Sequence, residues 1–129
     1  MRDGNVHTAS GKFQQAIDLG PHHLTSDEPQ ESGGDDMGPG PHDFLLAALG
    51  ACTSMTVKMY AERKGWPLDK VEVHLTQEKV DGAHSMRREI RLHGVLTDEQ
   101  RARLIEIAGK CPVHKTLTGK IEIDTHLMV

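Results

Sequence analysis

The chain contains two cysteines, Cys52 and Cys111, and their thiols are the side chains best suited to chemistry. Cys111 begins the run Cys-Pro-Val-His, and proline favours the first position of a helix. A thiolate at a helix start is stabilised by free backbone N–H groups. His114 lies three residues on, within reach of the same sulfur. From these local features we predict that Cys111 is the more acidic thiol.

Cys52 lies near the middle of a long run of helix formers between Pro41 and Lys64. A mid-helix position gives a thiolate little help from the helix dipole, which acts over the terminal turns. Free cysteine is also among the most buried residue types, so an inert core thiol is the alternative interpretation. A reactive Cys52 requires a neighbouring cation that lowers its pKa.

Other site types have weaker support in the sequence. Cys111 and His114, with Cys52 or His42, supply metal-ligating atoms, but a structural zinc site has two closely spaced ligand pairs and only one is present. No glycine pattern of a nucleotide fingerprint follows a strand, and no serine nucleophile elbow occurs. We therefore predict neither a metal site nor another cofactor.

Length and composition narrow the class of protein. The 129 residues predict a single domain over residues 1–129. Aromatic residues make up only 3% of the chain, so its core is thin and oligomerisation would support it. A net charge of −4 without a basic block argues against nucleic acid as a partner. No apolar run approaches a membrane span and no signal peptide is recognisable, which predicts a cytoplasmic protein that does not bind membranes.

The first half of the chain predicts strands followed by one long helix. Alternating residues indicate a strand over 12–19, and a second short strand is expected near 22–25. A polar loop rich in glycine, proline and acidic residues follows, and we expect it to be solvated. The helix begins near Pro41 and ends at Lys64, before Gly65. It is apolar on nearly every side, which predicts burial all round.

The second half predicts a β-hairpin, two helices and a last strand. Residues 70–79 and 87–95 alternate cleanly and are joined near Asp81-Gly82, a hairpin turn signal. A helix capped by Thr97 follows, and a short helix begins at Pro112. A final strand is expected over 120–129. This order predicts an α+β fold with antiparallel sheet covering a central helix. The expected buried side of the helix after Thr97 consists of Leu104, Ile107 and Ala108.

Two motifs resemble one known family. GPGPHDFLLAALGAC, which ends at Cys52, and KCPVHKTLTG around Cys111 resemble the OsmC/Ohr family of osmotically inducible and organic hydroperoxide resistance proteins. The resemblance covers about residues 12–125 and is closest to the less characterised OsmC-like branch. It implies an OsmC-like fold in which antiparallel sheet wraps a long central helix. It also implies an intertwined homodimer with active sites at the subunit interface.

The resemblance further implies a cysteine peroxidase. Cys52 would attack the O–O bond of an organic hydroperoxide, and Cys111 would then form a disulfide with it. An external dithiol would reduce that disulfide. Such a bond requires the two Cα atoms to lie within about 7 Å of each other.

The chain departs from the family at the residues that activate the thiol. The family's peroxidases carry a glutamate ten residues before the helix cysteine and an arginine in an N-terminal strand. Here the tenth residue before Cys52 is His42, with Asp43 beside it, and the N-terminal segment offers Lys12. Together with His114, these three residues are the candidate thiol-activating or pocket-lining residues.

The leading hypothesis is therefore a thiol-dependent hydroperoxide reductase that protects against oxidative or osmotic stress. One alternative is a non-catalytic OsmC-like protein that binds a small hydrophobic ligand in the same pocket. The other is a redox sensor in which a reversible disulfide between Cys52 and Cys111 changes a partner contact.

Overall fold

A computed structural model describes all residues of the chain, Met1–Val129. It contains five β-strands, three α-helices and one short 3-10 helix. All strand pairs are antiparallel, which confirms the predicted α+β class. The chain forms two compact units, residues 1–45 and 46–129, and each is described by itself.

The first unit is built on a three-stranded sheet. Strands β1 (Gly4–Thr8), β2 (Gln15–Leu19) and β3 (His22–Ser26) pair in that order. The structure confirms the two predicted strands as β2 and β3. The sequence did not predict β1, because GNVHT is mostly polar and lies at an exposed edge of the sheet.

A buried carboxylate organises the loop that follows this sheet. Asp27 is only 3% exposed, and its oxygens accept the backbone N–H groups of Glu28 at 2.8 Å and Met37 at 3.1 Å. The short 3-10 helix Gln30–Ser32 lies between these two donors. The acidic stretch is therefore an ordered loop that folds back on itself, with its other acidic side chains at the surface.

Helix α1 spans Pro41–Lys64, as predicted. Its buried residues form one stripe along the helix, and the opposite face is open in this chain. Met55 and Met59 are 63% and 64% exposed. The prediction of burial on all sides is thus wrong for the single chain, because the hairpin and the next helix cover only one face. The buried stripe consists of Leu49, Gly50, Thr53, Val57 and Ala61.

The predicted hairpin is present and longer than expected, with β4 at Leu68–Val80 and β5 at Ala83–Gly94. Asp81 and Gly82 join the strands, and both have left-handed φ angles, 50° and 80°, as a tight hairpin turn requires. Gly94 ends β5 at φ 150°, where an added Cβ would lie 2.1 Å from the carbonyl oxygen of Pro67. Only glycine therefore allows the two strand ends to approach so closely.

Helix α2 (Asp98–Ala108) closes the core of the second unit. The predicted capping box is present, since Thr97 Oγ1 accepts the N–H of Gln100 and the Gln100 side chain accepts the N–H of Thr97. The predicted buried side is also confirmed. This face packs on α1 and the hairpin in a cluster of Val57, Ala61, Leu68, Leu104 and Ala108.

The chain ends with helix α3 (Pro112–Thr118) and an extended tail. The tail over residues 120–129 is exposed throughout and forms no strand, so the prediction of a final strand is wrong. Its apolar residues alternate as a strand requires, with Ile123 86% and Leu127 92% exposed. Alternation alone is insufficient, because a strand also needs a neighbour for its backbone N–H and C=O groups.

Candidate active site

The two cysteines meet at the first turn of α3, within the second unit. Cys111 is the N-cap residue of α3, and its Sγ accepts the backbone N–H of His114 at 3.3 Å. Pro112 has no N–H to offer. The next donor, the N–H of Val113, lies 3.5 Å from Sγ of Cys52. Two consecutive backbone donors thus contact two different sulfurs, and we name Cys52, Thr53, Arg88, Cys111 and His114 the dithiol site.

Helix α1 presents two adjacent side chains to this site. Thr53 is fully buried, and its hydroxyl lies 2.6 Å from the carbonyl oxygen of Leu49 and 4.0 Å from Sγ of Cys111. Cys52 is half-buried, and its sulfur also lies 3.9 Å from Oγ1 of Thr56. Neighbouring helix positions differ by about 100°, so α1 can direct one side chain into the core and the next toward α3.

Strand β5 contributes a cation that the sequence reasoning missed. Arg88 donates from Nη1 to Oγ1 of Thr53 at 2.9 Å and from Nη2 to Nδ1 of His114 at 3.0 Å. Because a guanidinium only donates, Nδ1 of His114 must accept, and the neutral ring carries its proton on Nε2. One side chain therefore connects α1 to α3 next to the thiols.

The surroundings of Cys111 favour its thiolate. Burial raises the pKa of Cys111, but hydrogen bonds from the His114 N–H, the Cys52 thiol and the Thr53 hydroxyl outweigh it, so the pKa is lowered from its ordinary value. Cys111 is fully buried and Cys52 is half-buried. The site thus holds a buried thiol of lowered pKa beside a second, more accessible thiol.

The other candidates from the sequence lie in the first unit. Lys12 is exposed in the turn after β1, with Nζ 6.0 Å from the centre of the Phe13 ring. His42 is exposed in the first turn of α1. Asp43 accepts the N–H of Gly40 at 2.8 Å and so caps the start of that helix. A thiol-activating role for these three residues stays a prediction, whereas His114 is part of the dithiol site.

Possible metal ligands do not cluster anywhere in the chain. No group of three or more histidine, cysteine, aspartate and glutamate side chains is arranged to hold a metal ion. Nδ1 of His114 faces the guanidinium of Arg88, so this nitrogen is not directed at a shared ion with the sulfurs.

A match to a protein-family model over most of the chain shows which family the chain belongs to. The model described as OsmC-like protein matches residues 33–126, a range that includes all of the dithiol site. The chain belongs to the OsmC family. This membership confirms the resemblance found in the two cysteine motifs. Comparison with curated proteins finds no match.

Solved structures of OsmC and Ohr proteins have the same fold. An OsmC-like protein from Mycoplasma pneumoniae is similar with a TM-score of 0.76 and 22% identity, covering 92% of this chain and 88% of that one. An organic hydroperoxide resistance protein OsmC from Legionella pneumophila is similar with a TM-score of 0.71 and 16% identity, covering 92% of this chain and 90% of that one. The organic hydroperoxide resistance protein OhrB of Bacillus subtilis is similar with a TM-score of 0.60 and 18% identity, covering 92% of this chain and 91% of that one.

The family also informs how α1 is interpreted. By length and composition alone, α1 could cross a bilayer, so the expectation that no apolar segment approaches this length is wrong. The core helix of a soluble protein passes the same test. In this chain, which has the OsmC fold, Val57 and Ala61 of α1 pack into the core of the second unit, so α1 is a core helix.

Removing the Cys52 thiol should raise the pKa of Cys111. In Cys52→Ala the hydrogen bond to the Cys111 thiolate is lost, whereas Cys52→Ser keeps an O–H donor at the same place. Both variants contain a single thiol, so thiolate absorbance near 240 nm across a pH titration reports Cys111 alone. We expect the higher pKa in the alanine variant. Equal values, or a higher value in the serine variant, would contradict the contact between the two sulfurs.

Proposed function

We propose that this protein is a thiol-dependent peroxidase that reduces organic hydroperoxides through a cycle between Cys52 and Cys111. The observation that carries the proposal is the placement of both sulfurs on the first turn of α3. A peroxidase of this type needs one thiol to react with the oxidant and a second close enough to form a disulfide. Two sulfurs that accept from consecutive backbone N–H groups support such a pairing.

The two thiols differ in solvent exposure, and this difference indicates which of them meets the hydroperoxide. Cys52 is half-buried and open to a small molecule, whereas Cys111 is fully buried beneath it. We therefore assign Cys52 as the peroxidatic thiol and Cys111 as the resolving thiol. This assignment agrees with the roles that the family motifs imply.

The first step transfers one oxygen atom. The Cys111 thiolate takes the S–H proton of Cys52, and the Cys52 sulfur attacks the terminal oxygen of ROOH. The O–O bond breaks, Cys52 becomes a sulfenic acid, and the alkoxide RO⁻ leaves. Protonation of RO⁻ by the Cys111 thiol yields the alcohol and restores the Cys111 thiolate. Sulfur is oxidised by two electrons and the hydroperoxide is reduced by two.

The second step forms the disulfide. The Cys111 thiolate attacks the sulfur of the Cys52 sulfenic acid, the S–O bond breaks, and hydroxide leaves as water after protonation. An external dithiol then attacks the disulfide, is itself oxidised to a disulfide, and returns both cysteines to the reduced state. No metal or organic cofactor takes part. A reducing compartment such as the cytoplasm suits this cycle.

The comparisons support the hydroperoxide as the oxidant. The names of the similar Legionella pneumophila and Bacillus subtilis structures both refer to organic hydroperoxide resistance. His42 takes the sequence position of the family's glutamate, Asp43 lies beside it, and Lys12 lies in the N-terminal segment. We propose that these residues have a thiol-activating or pocket-lining role. No nucleic acid or membrane is needed as a partner.

Cysteine variants should separate the two steps of the cycle. With a small dithiol as reductant, the wild type should consume cumene hydroperoxide over many turnovers. Cys52→Ser should lower turnover at least about 10³-fold, because no sulfur reaches the oxidant. Cys111→Ser loses the base of the first step, so it should react more slowly than the wild type. It should still consume about one equivalent without reductant and leave a sulfenic acid that dimedone traps. The measurements are hydroperoxide loss and the mass of the labelled protein.

Other outcomes would point to the two alternatives. One equivalent consumed, a disulfide formed and no further turnover with dithiol would favour the redox sensor. Full turnover in Cys52→Ser would remove Cys52 from the mechanism. If the wild type consumes no hydroperoxide and both thiols stay reduced, the binding protein for a small hydrophobic ligand becomes the better proposal.

We further propose that the protein is a homodimer joined through the open face of α1. In the second unit that face carries a stripe at four-residue spacing, which is too apolar to remain in water at full exposure. A second copy would cover it and enlarge the thin core. The stripe consists of Ala47, Ala51, Met55 and Met59.

Charges on this stripe should separate the subunits. Light scattering should give twice the 14.2 kDa mass of one chain for the wild type. The double variant Met55→Asp with Met59→Asp should shift toward one chain mass, because two carboxylates cannot be buried unpaired. As a control, Val95→Asp changes an exposed apolar residue in the turn before α2 and should leave the mass unchanged. A monomeric wild type would contradict the dimer.

A further inference from the structure

We propose that Arg88 is the positioning cation of the dithiol site and acts on its sulfurs through Thr53 and His114. The inference rests on the proposed thiol chemistry and deepens it. Arg88 lies in strand β5 of the hairpin, on the same chain as both cysteines. The family motifs had instead predicted an activating cation in the N-terminal segment. Its guanidinium makes both of its hydrogen bonds to residues that touch Cys111.

Arg88 lies on the inward face of β5. It is half-buried and shares that face with Ile90 and Leu92, which pack against the core. Its neighbours Arg87 and Glu89 are exposed on the other face and pair with each other at 3.3 Å. An arginine on an apolar face is costly unless its donors are satisfied, and here two nitrogens contact fixed acceptors.

The contact with Thr53 directs a hydroxyl proton. Nη1 of Arg88 occupies a lone pair of Oγ1, so the single Thr53 proton must go to an acceptor. Two acceptors are near, the Leu49 carbonyl at 2.6 Å and the Cys111 sulfur at 4.0 Å. A thiolate at Cys111 attracts this proton more strongly than a thiol does. The guanidinium therefore keeps Thr53 ready to donate to the sulfur when it is ionised.

The contact with His114 fixes the first turn of α3. The ring of His114 accepts from Arg88 while the backbone N–H of the same residue donates to Cys111. Helix α3 has only seven residues, so a side-chain anchor in its first turn strongly constrains the direction of the N–H groups. Through Thr53, the guanidinium also lies within about 7 Å of the Cys111 sulfur, a distance at which its charge favours the thiolate.

A purely structural role for Arg88 gives a different expectation. In that case the side chain only ties β5 to α1 and α3, and its loss would lower stability without changing how the thiols titrate. The two roles are therefore separated by the pH at which the thiols ionise, measured together with the midpoint of thermal unfolding.

The test measures the thiolate absorbance of the reduced protein near 240 nm as a function of pH, which needs neither peroxidase activity nor access of a reagent to the buried Cys111. Arg88→Met should raise the apparent pKa of the more acidic thiol by about 1. It should also lower the rate of oxidation by cumene hydroperoxide at pH 7 by about tenfold. Arg88→Lys should restore part of the lowered thiol pKa and part of the oxidation rate, because lysine keeps the charge but not the two-pronged contact. Arg87→Met is the matched control on the same strand and should leave both values unchanged.

A second pair of variants covers the case in which Arg88→Met fails to fold. Thr53→Val removes the oxygen that links Arg88 to Cys111 at nearly constant volume, while Thr53→Ser keeps it. Only the valine variant should raise the thiol pKa. An unchanged pH profile in Arg88→Met, or in Thr53→Val if the first cannot be made, overturns the proposal. If the profile shifts but the wild type reduces no hydroperoxide, the role of Arg88 stands and the peroxidase proposal fails.

Discussion

The proposed thiol chemistry depends on two backbone N–H groups at the start of α3. A helix start leaves its first amides without intrahelical partners, and a proline at position 112 removes one of them. The next two amides contact different sulfurs, one from α1 and one from the N-cap residue. A single turn of helix therefore brings together two cysteines that lie 59 positions apart in the chain. The backbone N–H of His114 in this turn helps to lower the pKa of Cys111.

The rest of the second unit holds that turn in place. The cluster of Val57, Ala61, Leu68, Leu104 and Ala108 fixes α1 against the hairpin and α2, which directs Thr53 inward and Cys52 toward α3. Arg88 then adds a polar connection from β5 to both helices at the site. Since α3 buries no residue of its own apart from its N-cap, these contacts contribute much of its orientation.

Local signals predicted most of the elements, and the failures share one cause. Helix α1, the hairpin turn and the Thr97 capping box each follow from residues close in sequence. The predictions of burial all round α1 and of a strand over 120–129 were wrong, because each depends on a second surface that the single chain does not supply. Arg88 was missed although the alternation over residues 87–95 places it on the same face of the strand as Ile90 and Leu92. A charged residue at an inward strand position was the signal that could have found it.

We propose that Cys52 and Cys111 of one chain act as a pair. This pairing is tested most directly by adding one equivalent of cumene hydroperoxide to the reduced protein, blocking residual thiols, and mapping disulfides by peptide mass spectrometry. We expect one new bond, between the peptides that contain Cys52 and Cys111, formed within a single chain and reversed by dithiol. Two thiols that remain free, or a Cys52 oxidised to sulfinic acid beside an unmodified Cys111, would contradict it.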